Sequence, residues 1–187
     1  MSRRDVSPEE LETAVPVYAV WELTTRCDQP CKHCGTRAGT ARSEELGAAR
    51  IAEVGRELAE LGCREVTLIG GEAYLRADVY DIVQVLAGLG LRVTMQTGGR
   101  ALTPERIRRF QDAGLAAIGV SIDGDERSHD TLRGNQGSHA AALRAVDDAR
   151  AAGLLVTANT QINRLSQGVL WETSRLLRDR GVRFWQV

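Results

Sequence analysis

The sequence predicts an α/β fold in which parallel strands alternate with crossover helices, and three observations predict it. Short apolar runs alternate with segments of helical period along most of the chain. A glycine closes each of five helical segments just before the next strand, at Gly62, Gly90, Gly114, Gly153 and Gly181. The polar clusters that interrupt the apolar runs fall at the strands' C-terminal ends, the rim on which parallel βα folds build their sites. One βα unit is therefore repeated, and right-handed crossovers curl such a chain into either a barrel-like or a doubly wound sheet. Periodicity alone does not choose between the two.

After a lead segment, residues 1–16, strands are expected at Val17–Leu23, Glu65–Ile69, Leu91–Gln96, Ala116–Ile122, Leu154–Thr160 and Val182–Val187. Helices are expected at about 44–61, 77–89, 103–113, 138–152 and 167–180. Ser43, Thr103 and Ser138 read as N-caps, because each offers a side-chain oxygen to the open amides of a first turn, and Pro104 suits the first helical position. The sixth strand ends the sequence at Val187 without a helix to cover it, so residues 17–187 are expected to be a core truncated at its C-terminus.

The 187 residues, 43% hydrophobic, suit one domain with a substantial core. With 24 basic and 25 acidic residues the formal charge is -1, so no global field gathers nucleic acid or an anionic membrane. The charged start of the chain lacks the apolar core of a secretory signal, and no stretch is long and uncharged enough to cross a bilayer; a cytoplasmic protein is expected. In that reducing compartment, four cysteines with three of them inside eight residues argue for metal or redox chemistry over disulfides.

Those three form Cys27-x3-Cys31-x2-Cys34 directly after the first strand. Such spacing wraps a tight loop round one corner of a cubane and leaves one iron without a protein ligand, the open position of a catalytic metal. The competing arrangement is a zinc-stabilised binding module with His33 as fourth ligand, disfavoured because neighbouring His33 and Cys34 side chains diverge. Gly70-Gly71-Glu72 follows the second strand, where glycines admit close backbone approach and a carboxylate accepts from an ammonium. Ser121-Ile122-Asp123-Gly124 ends the fourth strand and leads to His129-Asp130-Thr131-Leu132-Arg133-Gly134. There a hydroxyl can donate or accept a hydrogen bond and an Arg fork suits a carboxylate. The amide-rich ends of the third and fifth strands, Gln96-Thr97-Gly98-Gly99 and Asn159-Thr160-Gln161, are expected to line a cofactor or substrate cavity.

Together these motifs resemble the radical S-adenosylmethionine superfamily, over about residues 17–187, and in particular the peptide-modifying maturases that carry a C-terminal SPASM extension. The resemblance implies a partial (βα)6 radical-SAM barrel ending at the sixth strand. It implies a [4Fe–4S] cluster on Cys27, Cys31 and Cys34, and S-adenosyl-L-methionine contacted by Gly70, Gly71, Glu72, Ser121, Asp123, Arg133, His33 and Gln96. It implies an oxygen-sensitive enzyme that reductively cleaves S-adenosylmethionine to a 5'-deoxyadenosyl radical and modifies a ribosomally made peptide, with a flavodoxin or ferredoxin as electron donor. The protein's own part in such chemistry is placement and exclusion. An inert truncated core is the other reading of the same motifs. Two positions depart from the pattern: His33 stands where an aromatic residue is usual, and Ala73 where Pro is commoner. Neither removes a ligand. Cys63, alone at a helix-to-strand junction, reads as a packed side chain.

Overall fold

A computed structural model describes residues 4–187. Six parallel strands form one sheet in the order of the sequence: β1 (Tyr18–Thr24), β2 (Glu65–Gly70), β3 (Arg92–Thr97), β4 (Ala117–Ser121), β5 (Leu155–Asn159) and β6 (Phe184–Gln186). An order without reversal is the winding of a barrel, and it resolves the choice that periodicity left open. β1 pairs only with β2 and β6 only with β5, so the barrel is partial and open along one side.

The helices are α1 (Pro8–Glu12), α2 (Ala48–Glu60), α3 (Val79–Gly88), α4 (Pro104–Asp112), α5 (Glu126–Arg133), α6 (Ser138–Ala151) and α7 (Leu170–Asp179). Their apolar faces pack on the outer face of the sheet, where Val66, Leu68, Val93, Met95, Ile118, Val120 and Val156 meet Ile82, Leu86, Ile107, Phe110 and Val146 in one cluster. All five glycines expected to close helices have positive φ, which fits a left-handed helix end.

Thr103 caps α4 as expected, its side chain accepting from the Arg106 amide. The other two cap assignments are corrected. Helix α2 begins at Ala48 after Gly47, because Glu45 is held elsewhere: its carboxylate accepts from Thr24 Oγ1, the Thr25 amide and the Arg42 amide. Ser43 is thus in a loop. At α6 the cap position is Gly137, and Ser138 lies inside the first turn, its hydroxyl donating to Asp130. The segment read as a loop after the fourth strand contains α5, capped by Asp125, whose carboxylate accepts from the Ser128 amide. Polar residues dominate that helix, so its period was not visible.

The inner face of the sheet departs from the uninterrupted apolar strands of a doubly covered parallel sheet. Tyr18 Oη donates to Thr67 Oγ1 at 3.0 Å, and Thr67 and Thr94 share a hydroxyl bond of 2.7 Å. At the N-terminal end of the strands, buried Glu65 accepts from Arg4 Nε at 3.0 Å and Arg92 Nη1 at 2.9 Å. Of these groups Arg4, Glu65, Arg92 and Thr94 line part of a lumen of about 650 Å3. The outer face therefore supplies the core, and the inner face is left for recognition.

Phe110 is fully buried against Tyr80, with ring centroids 4.7 Å apart. Phe110→Ala is expected to lower unfolding free energy by about 3–5 kcal/mol, read from urea titrations; a loss below about 1 kcal/mol would contradict this packing.

Candidate active site

The loop that bears the three cysteines is held to the sheet by backbone bonds at both ends. The Gly71 amide donates to Thr24 O and the Glu72 amide to Arg26 O, each at 2.8 Å. At the loop's far end the Cys27 amide donates to Gly39 O at 2.9 Å, and the Gly39 amide donates back to Thr25 O at 2.7 Å. This approach explains the two glycines: a Cβ at Gly70 would stand 2.3 Å from Thr24 O, and one at Gly71 2.3 Å from Arg26 O. Their first role is to let the cysteine loop lie against the end of β2.

Cys27, Cys31 and Cys34 are each partly buried and line a chamber of about 180 Å3 with Gln29, His33, Gly70, Gly71, Glu72, Gln96, Thr97, Gly98, Ser121 and Arg133. Burial pushes the Cys27 thiol up to about 11, and nearby Glu72 and Asp28 push the same way. Burial also raises Cys31, against the pull of Arg133, whose Nη1 approaches its Sγ at 3.8 Å. At Cys34 partial burial opposes ionisation, but the Ala38 amide and the hydroxyl and amide of Thr36 outweigh it and leave the thiol below its usual value. Two buried thiols that resist ionisation are suited to a metal centre that supplies positive charge.

Three cysteine sulfurs facing one chamber are a donor set of the kind that holds an iron–sulfur cluster. Among the described residues no three His, Cys, Asp or Glu side chains gather closely enough to hold one metal ion. A tetrahedral zinc at ~2.3 Å from each sulfur needs the sulfurs within about 4 Å of one another, whereas cluster ligands bind separate irons. His33 is also engaged elsewhere, its Nε2 facing Asp123 Oδ2 at 3.6 Å.

Glu72 is 3% exposed and has no cationic side chain bonded to it among the described residues. Thr97 Oγ1 donates to its Oε2 at 2.5 Å, and the Gly98 amide and Gln29 Nε2 donate to its Oε1 at 2.7 and 3.4 Å. Burial raises its carboxyl to about 7 despite the Thr97 and Gly98 bonds. A buried carboxylate held by neutral donors on the wall of a chamber is suited to a cationic ligand.

Ser121 lies at the end of β4 and borders both the chamber and an adjoining cavity of about 520 Å3. Asp123 and Arg133 are brought together: Arg133 Nε donates to Asp123 Oδ2 at 2.8 Å, with Nη2 at 2.6 Å. The second Asp123 oxygen accepts from the Gln161 amide at 3.1 Å. Asp123 is 1% exposed and so acts here as the anchor of Arg133, which reaches the cysteine loop. His129, fully buried, accepts from the Asp123 amide on Nδ1, and burial with Arg133 nearby lowers its pKa to about 4, so it packs as a neutral ring. Gln96, at the end of β3, opens on both the chamber and the lumen.

Two features went unread in the sequence. Gln29, inside the cysteine loop, is 4% exposed and donates to Glu72; nothing in the loop's spacing marks it. Tyr74 Oη donates to Asp28 Oδ2 at 2.9 Å and links the cysteine loop to the turn after β2, a contact between residues distant in sequence.

With this geometry in place, the comparisons with known proteins are specific. Residues 21–163 match the Radical SAM superfamily, and the chain belongs to it. Members of that superfamily use a [4Fe–4S] cluster and S-adenosylmethionine. The AdoMet-dependent heme synthase of Methanosarcina barkeri is 32% identical over 171 residues, covering 90% of this chain and 49% of the relative. The PqqA peptide cyclase of Methylocella silvestris is 38% identical over 151 residues, covering 80% of this chain and 40% of the relative. The chain thus spans about half the length of the curated relatives it matches, and the two just given are named as a synthase and a cyclase. Streptococcus suis SuiB, solved with S-adenosylmethionine, shares the fold with a TM-score of 0.81 over 95% of this chain and 42% of its own, at 14% identity.

Thiol chemistry tests the loop directly. In the metal-free protein near neutral pH, iodoacetamide is expected to modify Cys34 before Cys31 and Cys27, because the thiolate is the nucleophile. Raising the pH should narrow the difference as the other two ionise. Peptide mass mapping that finds Cys27 fastest would contradict the assigned environments.

Proposed function

We propose that this chain is the core of a radical S-adenosylmethionine enzyme that modifies a peptide. The observation that carries the reading is the single chamber in which three cysteines, an unpaired buried carboxylate and a ribose-suited hydroxyl converge. Cys27, Cys31 and Cys34 would hold the [4Fe–4S] cluster, with one iron left open. When bound, the reduced cluster and S-adenosylmethionine supply the radical that takes a hydrogen atom from the substrate.

The remaining work falls to the chain. Glu72, held by Thr97, Gly98 and Gln29, receives the cofactor's ammonium. Gly70 and Gly71 keep the cysteine loop close enough for ammonium and cluster to share one chamber. Ser121 offers its hydroxyl to the ribose. Arg133, fixed by Asp123, stands beside Cys31 and offers positive charge to the cofactor's carboxylate and the cluster. His33, on the chamber wall, would pack against the adenine, and Gln96 stands between the chamber and the lumen.

A peptide substrate is supported by the 38% identity to a peptide cyclase and by the amide and hydroxyl groups along the lumen wall. A tetrapyrrole carboxylate is the second reading, supported by the 32% identity to a heme synthase and by Arg183 on the same wall. An electron donor such as a flavodoxin or ferredoxin and a cytoplasmic location complete the proposal. No described helix is long and apolar enough to cross a membrane.

Anaerobic reconstitution with iron and sulfide tests the cluster assignment. Wild type is expected to take up about four irons per chain and, with dithionite and S-adenosylmethionine, to yield 5'-deoxyadenosine. Cys27→Ala, Cys31→Ala and Cys34→Ala should each lose both properties. Cys63→Ala should keep both, because Cys63 is buried and bonded to Glu65 O, away from the chamber. Deoxyadenosine at background level from an iron-loaded wild type would overturn the enzymatic reading.

A further inference from the structure

Where the chamber meets the lumen, a hydrogen bond skips a strand. Asn159 at the end of β5 donates its amide nitrogen to Gln96 Oε1 on β3, across the intervening β4. The register places Gly119 of β4 beside Gln96 on one side and Thr157 on the other. A Cβ on Gly119 would stand 1.9 Å from Gln96 Oε1, so the amide lies directly on the bare backbone. The glycine thus permits this placement of the Gln96 amide, which any Cβ there would displace.

Once the two amides pair, Gln96 Nε2 and Asn159 Oδ1 have no partner among the described residues, and neither is sealed from solvent. If both amides were rotated, the pair would expose a carbonyl on Gln96 and an N–H on Asn159 instead. In either orientation one donor and one acceptor remain, and neither ionises. Gln96 borders the chamber and the lumen, and Asn159 borders the lumen and the adjoining 520 Å3 cavity, so the pair stands where the three spaces meet. The charged groups on the lumen wall are Arg183 and the Arg4–Glu65–Arg92 group. Arg92 begins β3 and lies about 13 Å along the strand from Gln96.

We propose that the Gln96–Asn159 pair laid across Gly119 is the specificity element of the lumen, and that it reads a neutral amide of a peptide chain. One donor and one acceptor side by side complement the N–H and C=O that one residue of an extended peptide presents on the same side, whereas a carboxylate finds a donor and a repelling carbonyl. The inference rests on the peptide reading above and deepens it.

Ligand-observed NMR on the anaerobically reconstituted chain with S-adenosylmethionine tests it, using acetyl-glycyl-glycine methylamide and coproporphyrin III as probes. The expected result is wild-type binding of the diamide, weakened about fivefold to tenfold by Gln96→Met and by Asn159→Leu. Asn159 lies outside the cofactor chamber, so a loss common to both variants belongs to the pair. Gly119→Ala should give the same loss by displacing the Gln96 amide, and Leu155→Ala, on the same wall at the start of β5, should bind like wild type. Far-UV circular dichroism checks each fold; should Gly119→Ala fail to fold, the near-isosteric Gln96→Met decides. Wild-type affinity in Gln96→Met and Asn159→Leu, or equal loss in Leu155→Ala, would overturn the pair as reader and leave the peptide reading standing. Binding of coproporphyrin III without the diamide would overturn both, and binding of neither probe would overturn the pair.

Discussion

The site depends on one close approach, the backbone of the cysteine loop against the end of β2. Two amide bonds, Gly71 to Thr24 and Glu72 to Arg26, make it, and both glycines at that turn are forced by it. The contact brings Cys27 and Glu72 into one chamber although 45 residues separate them in sequence. Any side chain at Gly71 would displace Arg26 or Cys27 and with them the first cysteine of the proposed cluster site.

From this contact the polar logic of the molecule follows. The sheet uses its outer face for the apolar core and leaves its inner face to hydroxyls, amides and a buried ion group. Charge is then graded along the strands. The Arg4–Glu65–Arg92 group closes the N-terminal end, neutral groups occupy the middle, and thiols, Glu72, Asp123 and Arg133 occupy the C-terminal rim. A carboxyl such as Glu72, raised to about 7 by burial although the Thr97 and Gly98 bonds and nearby Arg133 pull it down, is well placed to receive a cation. Arg133 shows the complementary case: Asp123 fixes its guanidinium so that its charge faces Cys31 at little further entropic cost.

Much of the frame was legible in the sequence. The strand positions, the five glycines that close helices and the placing of polar clusters on one rim follow from periodicity and backbone sterics, which are local. Barrel winding was not legible from period, since strand order is a long-range property; the resemblance to a family supplied it. Helix α5 was missed because Glu126–Arg133 has few apolar residues to reveal a stripe. Ser43 and Ser138 were misassigned because a capping residue type says nothing about a competing partner, here Glu45 bound to Thr24 and Asp130 bound to Ser138. Gln29, the Tyr74–Asp28 link and the Asn159–Gln96 bridge each join segments distant in sequence, and no local pattern encodes them.

Electron paramagnetic resonance of the reconstituted, reduced protein, recorded with and without S-adenosylmethionine, tests the proposed cluster site and the proposed role of Glu72 directly. A three-cysteine cluster beside an ammonium-binding carboxylate predicts that the cofactor changes the wild-type spectrum and that Glu72→Ala abolishes the change at the same cofactor concentration. A spectrum indifferent to the cofactor in a fully loaded wild type would contradict it.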